Sequence, residues 1–385
     1  MRKVSIYMSS YNYAKYLHEA INSVLNQTFS DYELFIQDDA SIDESWSIIQ
    51  SYTDPRISSL RNIMNQNDKE WMRKVVFEMA TGEYIAIHHS DNIWEPQKLQ
   101  KQVDYLDAHP DIGAVFTYAQ IIDENGDPFR DESHFYYEIF DQPNRGRHEW
   151  LNYFFYHGNA LCHPSILIHK KCYDDCGFYR KGLAQIPDFD MWVRLCMKYE
   201  IHVIPEKLVR FRVKSDEMSS SGNRPATRIR GQFEYLQVLD SYLNIPTYQE
   251  LVKIFPGAQK YYRKEGCDIG YVLGRVALET SGQAFTQLFG LNLLFKALND
   301  PKRMKMINER YGFFHKDFIE LTANYDIFSI ELKGRLHEIA SSRAWRAVLL
   351  LRRILVFLLP PGSQRARVSR KIISLFNKPG LPPKT

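Results

Sequence analysis

The chain has 385 residues, of which 44% are apolar and 25% charged, with a net charge of +3. That balance excludes a wholly disordered chain, and the length suits two or three domains with a sizeable core. No run of 18 uncharged apolar residues occurs, so no membrane-spanning helix is expected.

Residues 4–8 (VSIYM) read as a buried strand. The stretch 12–27 reads as a helix, because Leu17, Ala20, Ile21, Val24 and Leu25 recur on one face. Residues 33–37 (ELFIQ) give a second strand, which runs into DDASIDES, a loop that caps a helix at 45–52. A third strand at 57–61, a helix at 69–80 and a fourth strand at 84–88 come next. Then come a helix at 95–109, with Pro96 near its first turn, and a strand at 113–122. Strand alternating with helix predicts an α/β fold with a parallel-rich sheet. Ligands of such sheets gather beyond the carboxyl ends of the strands. Those ends are residues 9–12, Asp38-Asp39, and the sequence His88, His89, Ser90, Asp91, Asn92.

Neither G-x-G-x-x-G nor G-x-x-x-x-G-K-[ST] occurs, so glycine-lined phosphate cradles are disfavoured. The strand ends offer carboxylates instead, and a carboxylate at a phosphate site needs a cation between them, usually Mg²⁺ or Mn²⁺. Asp91 is the natural ligand, with Ser90 and Asn92 beside it. Asp39, following Asp38, is placed to accept from a base N–H. The competing reading makes Asp91 a helix N-cap before IWEPQKL. His88 and His89 read either as ligands or as solvated or core-satisfied rings. HKKCYDDC lacks a second cysteine pair at zinc spacing.

Three ordered stretches, SIYMSSYNYAKYLHEAINSVLNQTFSDYELFIQDDASID, MATGEYIAIHHSDNIWEPQKLQKQ and IPDFDMWVRL, resemble the family 2 glycosyltransferases of GT-A fold, over roughly residues 3–222. The resemblance implies a GT-A-like mixed sheet that transfers a sugar, with inversion, from a nucleotide-sugar donor, commonly UDP-linked. It implies that Tyr11 and Asp39 contact the base, with Asp38 alongside, and that Asp91 ligates a divalent metal (Mn²⁺ or Mg²⁺) on the diphosphate. Asp188, in PDFDMW, would be the catalytic carboxylate. Asn159 and His163, in GNALCHPSILI, and Trp192 would fall on the acceptor side. Arg212, Lys214 and Arg73 are the fixed cations for the leaving diphosphate. Where the family often carries D-x-D-D, this chain reads His89, Ser90, Asp91, Asn92, so His89 is the second metal-ligand candidate. The family's later histidine corresponds to Lys214. Asp188 and Asp190 are alternatively helix caps, Asp190 being the better placed.

Beyond residue 222 helical periodicity dominates, which divides the chain into 1–222, a helical accessory region at 223–330 and a tail at 331–385. No basic strip interleaved with rings appears, so nucleic-acid binding is not expected. The acceptor would be a glycan or a lipid-linked glycan. The five cysteines form an unpatterned set, read as reduced thiols of a cytoplasmic protein, and MRKVSIYMSS has no signal-peptide pattern. A binding or scaffold protein with a degenerate transferase domain is the alternative, suggested by His89 and Asn92.

The tail is a separate electrostatic object. Residues 343–385 hold ten Lys and Arg and no acid, leaving 39 bases against 46 acids before them, a net of −7. AWRAVLLLRRILVFLLPP is too short in its apolar part to span a bilayer. As an interfacial helix it would contact an anionic membrane on the inner face of the plasma membrane; the rival is a packing or oligomer helix. Deleting 343–385 should release the protein from anionic liposomes in co-sedimentation while sparing UDP binding. Equal pelleting of both forms would make the tail a packing helix.

Overall fold

Strand and helix alternate through the first third of the chain, as the periodicity predicts. A computed structural model describes residues 2–65, 70–214, 222, 224–280, 282–345 and 348–350. The strands are β1 (Val4–Ser10), β2 (Tyr32–Asp38), β3 (Ile57–Arg61), β4 (Tyr84–His89), β5 (Ile93–Trp94), β6 (Ile112–Ile122), β7 (Leu167–His169) and β8 (Glu200–Arg212). Between them lie α1 (Ala14–Leu25), α2 (Ser45–Gln50), α3 (Glu70–Lys74, continued by a π-helical turn), α4 (Lys98–Ala108), α5 (Arg147–His157), α6 (Lys171–Cys176) and α7 (Pro187–Cys196). Leu17, Ala20, Ile21 and Val24 form the buried stripe of α1, and β1 is buried along nearly its whole length, as a central strand covered on both faces must be.

The eight strands form one sheet in the order β3-β2-β1-β4-β7-β6-β8-β5. β3, β2, β1 and β4 run parallel, β7 runs against both its neighbours, and β6 and β8 are again parallel. This is the mixed, mostly parallel sheet expected. β5 and β8 are additions that the apolar pattern did not reveal; β5, two residues long, is too short to carry a period.

The sheet order carries a geometric consequence. β4 and β5 are separated by Ser90, Asp91 and Asn92 alone, yet stand four places apart in the sheet. Four strand spacings measure about 19 Å in a flat sheet, whereas the chain from His89 to Ile93 reaches about 14 Å at most. The sheet therefore curls, bringing the 90–92 turn over to β8, where Ile93 and Trp94 pair with Arg210 and Val209. Asp91 accordingly precedes a strand, and the next helix begins at Lys98, so the N-cap reading of Asp91 does not hold.

The chain separates into two compact units, Met1–Ile319 and Glu320–Thr385. The first also holds α8 (Pro225–Leu239), α9 (Tyr248–Ile254), α10 (Ile269–Thr280), α11 (Ala284–Leu298) and α12 (Pro301–Tyr311), and most of α13 (His315–Ala323). α10 and α11 cross backbone to backbone: a Cβ on Gly290 would lie 2.8 Å from the Gly274 carbonyl oxygen. In the second unit α14 (Ile330–Ser341) exposes Leu332, Leu336 and Ile339. Most of the basic tail, from residue 351 on, lies outside the described residues. Among the described residues no helix is long and apolar enough to cross a membrane, and the five cysteines are unpaired thiols.

An ion cluster joins α9 to α5. Glu250 accepts from Arg147 at 2.7 Å, His148 at 2.6 Å and Lys253 at 2.7 Å. Hydrogen bonds from Lys253, His148 and Arg147 outweigh partial burial and hold its carboxyl down at about 2. A folded value below the unfolded one means this contribution is present above about pH 5 and lost as pH falls toward 2. Glu250→Gln should therefore lower the melting temperature at pH 7 by more than at pH 3. An equal loss at both values would show that the charge is not what stabilises the junction.

Candidate active site

The carboxyl ends of four adjacent strands stand in a row. Register sets Ser9 beside His89, Ser10 beside Asp38, and Asp38 beside Arg61. Asp39 donates its N–H to the Ser10 carbonyl at 2.8 Å, and its carboxylate accepts from Asn62 Nδ2 at 2.6 Å. Asp38 is fully buried; it accepts from the Ser41 N–H at 3.1 Å and meets Arg61 at 3.3 Å. Asp38 thus shapes the loop, while Asp39 fronts it. Tyr11 is 41% exposed. Asn12 (φ 56°) and Ala40 (φ 62°) take left-handed conformations at the ends of β1 and β2, and the Asn12 side chain accepts from the Ile42 N–H. Non-glycine residues there carry strain that the surroundings must enforce. Asn62 went unread in the sequence, although the strand-end logic applied to β3 points to it.

Two strand spacings on, in the order of 10 Å away, the 90–92 turn is clamped by Arg212. That side chain is 4% exposed. Its Nε donates to the Asp91 carbonyl (2.9 Å), one terminal nitrogen to the Asp123 carbonyl (3.1 Å), and the other to Glu19 (2.7 Å). The guanidinium also lies 4.5 Å over the Tyr16 ring. Asn92, nearly fully buried, accepts the Arg212 backbone N–H at 2.9 Å. Arg212 is thus committed to the turn that presents Asp91.

The cation standing at Asp91 is Lys214. Its ammonium is 3.7 Å from the Asp91 carboxylate and 3.7 Å above the Tyr13 ring, with Tyr16 at 5.4 Å. Ser90 is buried within the turn. His88 is core: it stacks on Trp94 at 4.5 Å and 7°, with the buried Lys98 ammonium 3.8 Å from the same indole. Burial pushes the pKa of both His88 and Lys98 well down, as expected for bases with no counter-charge. Burial also lowers that of His89, against the pull of Asp91. Arg73 is tied elsewhere, to Glu70 at 3.5 Å and over Phe77 at 5.6 Å.

Rings link β4, which leads into Asp91, to α7, the helix that carries Asp188. His89 meets His163 edge-on at 5.1 Å; His163 bonds the Tyr179 hydroxyl at 3.0 Å and packs on Trp192 at 5.7 Å. Trp192 is fully buried against Phe116, whereas His163 is half-buried. Asp188 lies in the first turn of α7 and accepts from Asn159 Nδ2 at 2.9 Å. The capping reading is corrected here: Ile186 is the N-cap, with no side-chain cap bond. Asp190 is instead a fully buried counter-ion, held by Arg180 and by Arg194 at 2.8 Å.

Comparison with known proteins agrees with this architecture. Residues 5–169 match the family model Glycosyl transferase family 2. The chain is 30% identical over 215 residues to the uncharacterized glycosyltransferase MJ1057 of Methanocaldococcus jannaschii, covering 54% of this chain and 70% of that protein. It is 32% identical over 107 residues to WfaP of Escherichia coli, a UDP-Glc:α-D-GlcNAc-diphosphoundecaprenol β-1,3-glucosyltransferase, covering 28% of this chain and 42% of WfaP. In fold it is similar to Staphylococcus aureus TarS 1–349 in complex with UDP-GlcNAc, with a TM-score of 0.53 at 16% identity, over 80% of this chain and 91% of that one.

The clamp yields a stability expectation. Arg212→Met leaves two carbonyls without their donor and should cost about 2–3 kcal/mol, read by urea denaturation. An unchanged midpoint would mean that strand pairing alone holds the 90–92 turn.

Proposed function

The chain belongs to glycosyl transferase family 2, and from that membership we propose that it moves a sugar from a UDP-linked donor to a hydroxyl of a glycan or lipid-linked acceptor, with inversion. The observation that carries this reading is the pairing of Asp91 with Lys214 at one strand end, joined through His89 and His163 to the region of Asp188. The UDP assignment draws support from WfaP and TarS, whose names and ligands specify UDP-sugars. WfaP, named for a polyprenyl-diphosphate acceptor, supports synthesis of a surface polysaccharide.

In this mechanism the base of the donor lies at Tyr11 and Asp39, and the diphosphate lies at Asp91 and Lys214. Asp188 accepts the proton of the acceptor hydroxyl as that oxygen attacks the anomeric carbon. The bond from that carbon to the phosphate oxygen breaks on the opposite face, and the nucleoside diphosphate leaves. One displacement inverts the centre, so one base suffices. Lys214 is a permanent positive charge poised for the leaving group.

A divalent metal must be tested against the donors present. Among the described residues no three His, Cys, Asp or Glu converge on a point, so a cage made wholly of protein does not fit. A divalent ion that arrives with the donor and needs a single protein carboxylate would fit. Asp91 would hold it, with the neutral His89 imidazole next in line, and it would supply additional neutralisation of the leaving diphosphate.

The basic tail, with ten Lys and Arg and no acid over 343–385, would hold the protein at the inner membrane face. Asp188→Asn keeps the shape of the side chain and removes the basic oxygen. Transfer should fall at least ~10²-fold while UDP affinity, measured by calorimetry, stays the same. Retained turnover would move the base elsewhere.

A further inference from the structure

α7 carries Asp188 in its first turn, yet its N-cap supplies no side chain to the backbone there. The backbone that leads into α7 is held from a helix remote in sequence. Glu234, on α8, is 1% exposed, and its two carboxylate oxygens accept three consecutive backbone N–H groups. They are Ala184 at 2.8 Å on one oxygen, then Gln185 at 2.8 Å and Ile186 at 2.9 Å on the other. Ile186 is two residues from Asp188. A buried carboxylate at a helix N-terminus meets the positive end of the helix dipole, and its cost of burial is offset only while those N–H groups stay aligned. The lock is therefore specific to one placement of the segment that leads into Asp188.

The neighbouring residue of α8 supports the other side. Gly158 has φ 82°, and a Cβ there would lie 2.4 Å from the Tyr235 hydroxyl oxygen. Burial raises the pKa of that hydroxyl to about 12, against an opposing pull from the Asn159 backbone. Asn159 is the residue whose amide holds the Asp188 carboxylate. Two successive residues of α8 thus brace the backbone before Asp188 and the loop that supplies its hydrogen-bond donor.

We propose that Glu234 is a positioning residue for glycosyl transfer, holding α7 so that the Asp188 carboxylate faces the acceptor hydroxyl. The proposal rests on Asp188 being the base. Glu234 touches neither donor nor acceptor. Its effect should therefore fall on turnover and leave the binding of the nucleotide, across the site at Asp39 and Asp91, alone.

The test measures UDP release from UDP-glucose, UDP-N-acetylglucosamine and UDP-galactose, read on the sugar that the unmodified full chain turns over fastest. UDP affinity by calorimetry serves as the control for folding. Glu234→Gln retains one accepting oxygen and sets an amide NH₂ against backbone donors. It should lower kcat about tenfold with donor KM and UDP affinity unchanged, and amide exchange at residues 184–186 should accelerate. In an Asp188→Asn background the same change should cost nothing further, since there is no base left to position. If Glu234→Gln fails to bind UDP, Glu234→Asp, which keeps the charge and withdraws it by one methylene, takes its place with a fall of at least threefold expected. An unchanged kcat in a folded variant, or an equal cost in both backgrounds, overturns the proposal. Full activity of Asp188→Asn alone would instead overturn the assignment of the base, which separates the two failures.

Discussion

A three-residue connection between β4 and β5 constrains most of the site. Because Ser90, Asp91 and Asn92 must link the middle of the sheet to its far edge, the sheet has to curl. The curl delivers Arg212, at the end of β8, to the Asp91 carbonyl. With Asn92 taking the Arg212 backbone N–H, the turn is held from both sides. Lys214, two residues past Arg212, arrives beside the Asp91 carboxylate as a direct result. The placement of one acid and one cation is thus a property of sheet topology before it is a property of chemistry.

The same logic gives the polar residues of the site their separate duties. Asp38 is spent on the Ser41 N–H and Arg61, and Arg212 on the Asp91 and Asp123 carbonyls. Asp39 and Lys214 stand one step further out, on frames those residues build. On the proposed acceptor side Asp190 is buried between two arginines, whereas Asp188 accepts from the Asn159 amide. In each pair the buried member fixes geometry, which leaves the other placed for the roles proposed here. Buried charged groups of this kind are costly unless fully satisfied, so they tolerate little movement. That rigidity is what an in-line displacement requires, because catalytic power depends on alignment of the reacting atoms.

Much of this was legible in the sequence. The alternation of strand and helix in the first 122 residues, the α1 stripe and the polar strand ends all derive from period and composition. The resemblance at SIYMSSYNY, HHSDN and PDFDMW added the GT-A fold and the family. Other features could not be read, each for a physical reason. β5 is stabilised by pairing across the sheet, not by its own two residues. Arg212 looked like a phosphate cation because nothing local shows that Asp91, Asp123 and Glu19 would converge on it. Glu234 sits in QFEYLQVL as an ordinary helical glutamate, and only the fold reveals the three N–H groups it meets. Long-range satisfaction of buried polar groups is what single-sequence reasoning misses.

The proposed transfer needs one nucleotide across this row of strand ends, its base at Asp39 and its diphosphate at Asp91 and Lys214, with the sugar presented to Asp188. A crystal of the protein grown with UDP-N-acetylglucosamine and Mn²⁺ tests it most directly. The diphosphate should lie against Asp91 and Lys214, the uracil at Asp39, and the Asp188 carboxylate on the face of the anomeric carbon opposite the leaving phosphate. A nucleotide bound away from the 90–92 turn, or an Asp188 on the same face as the phosphate, would contradict it.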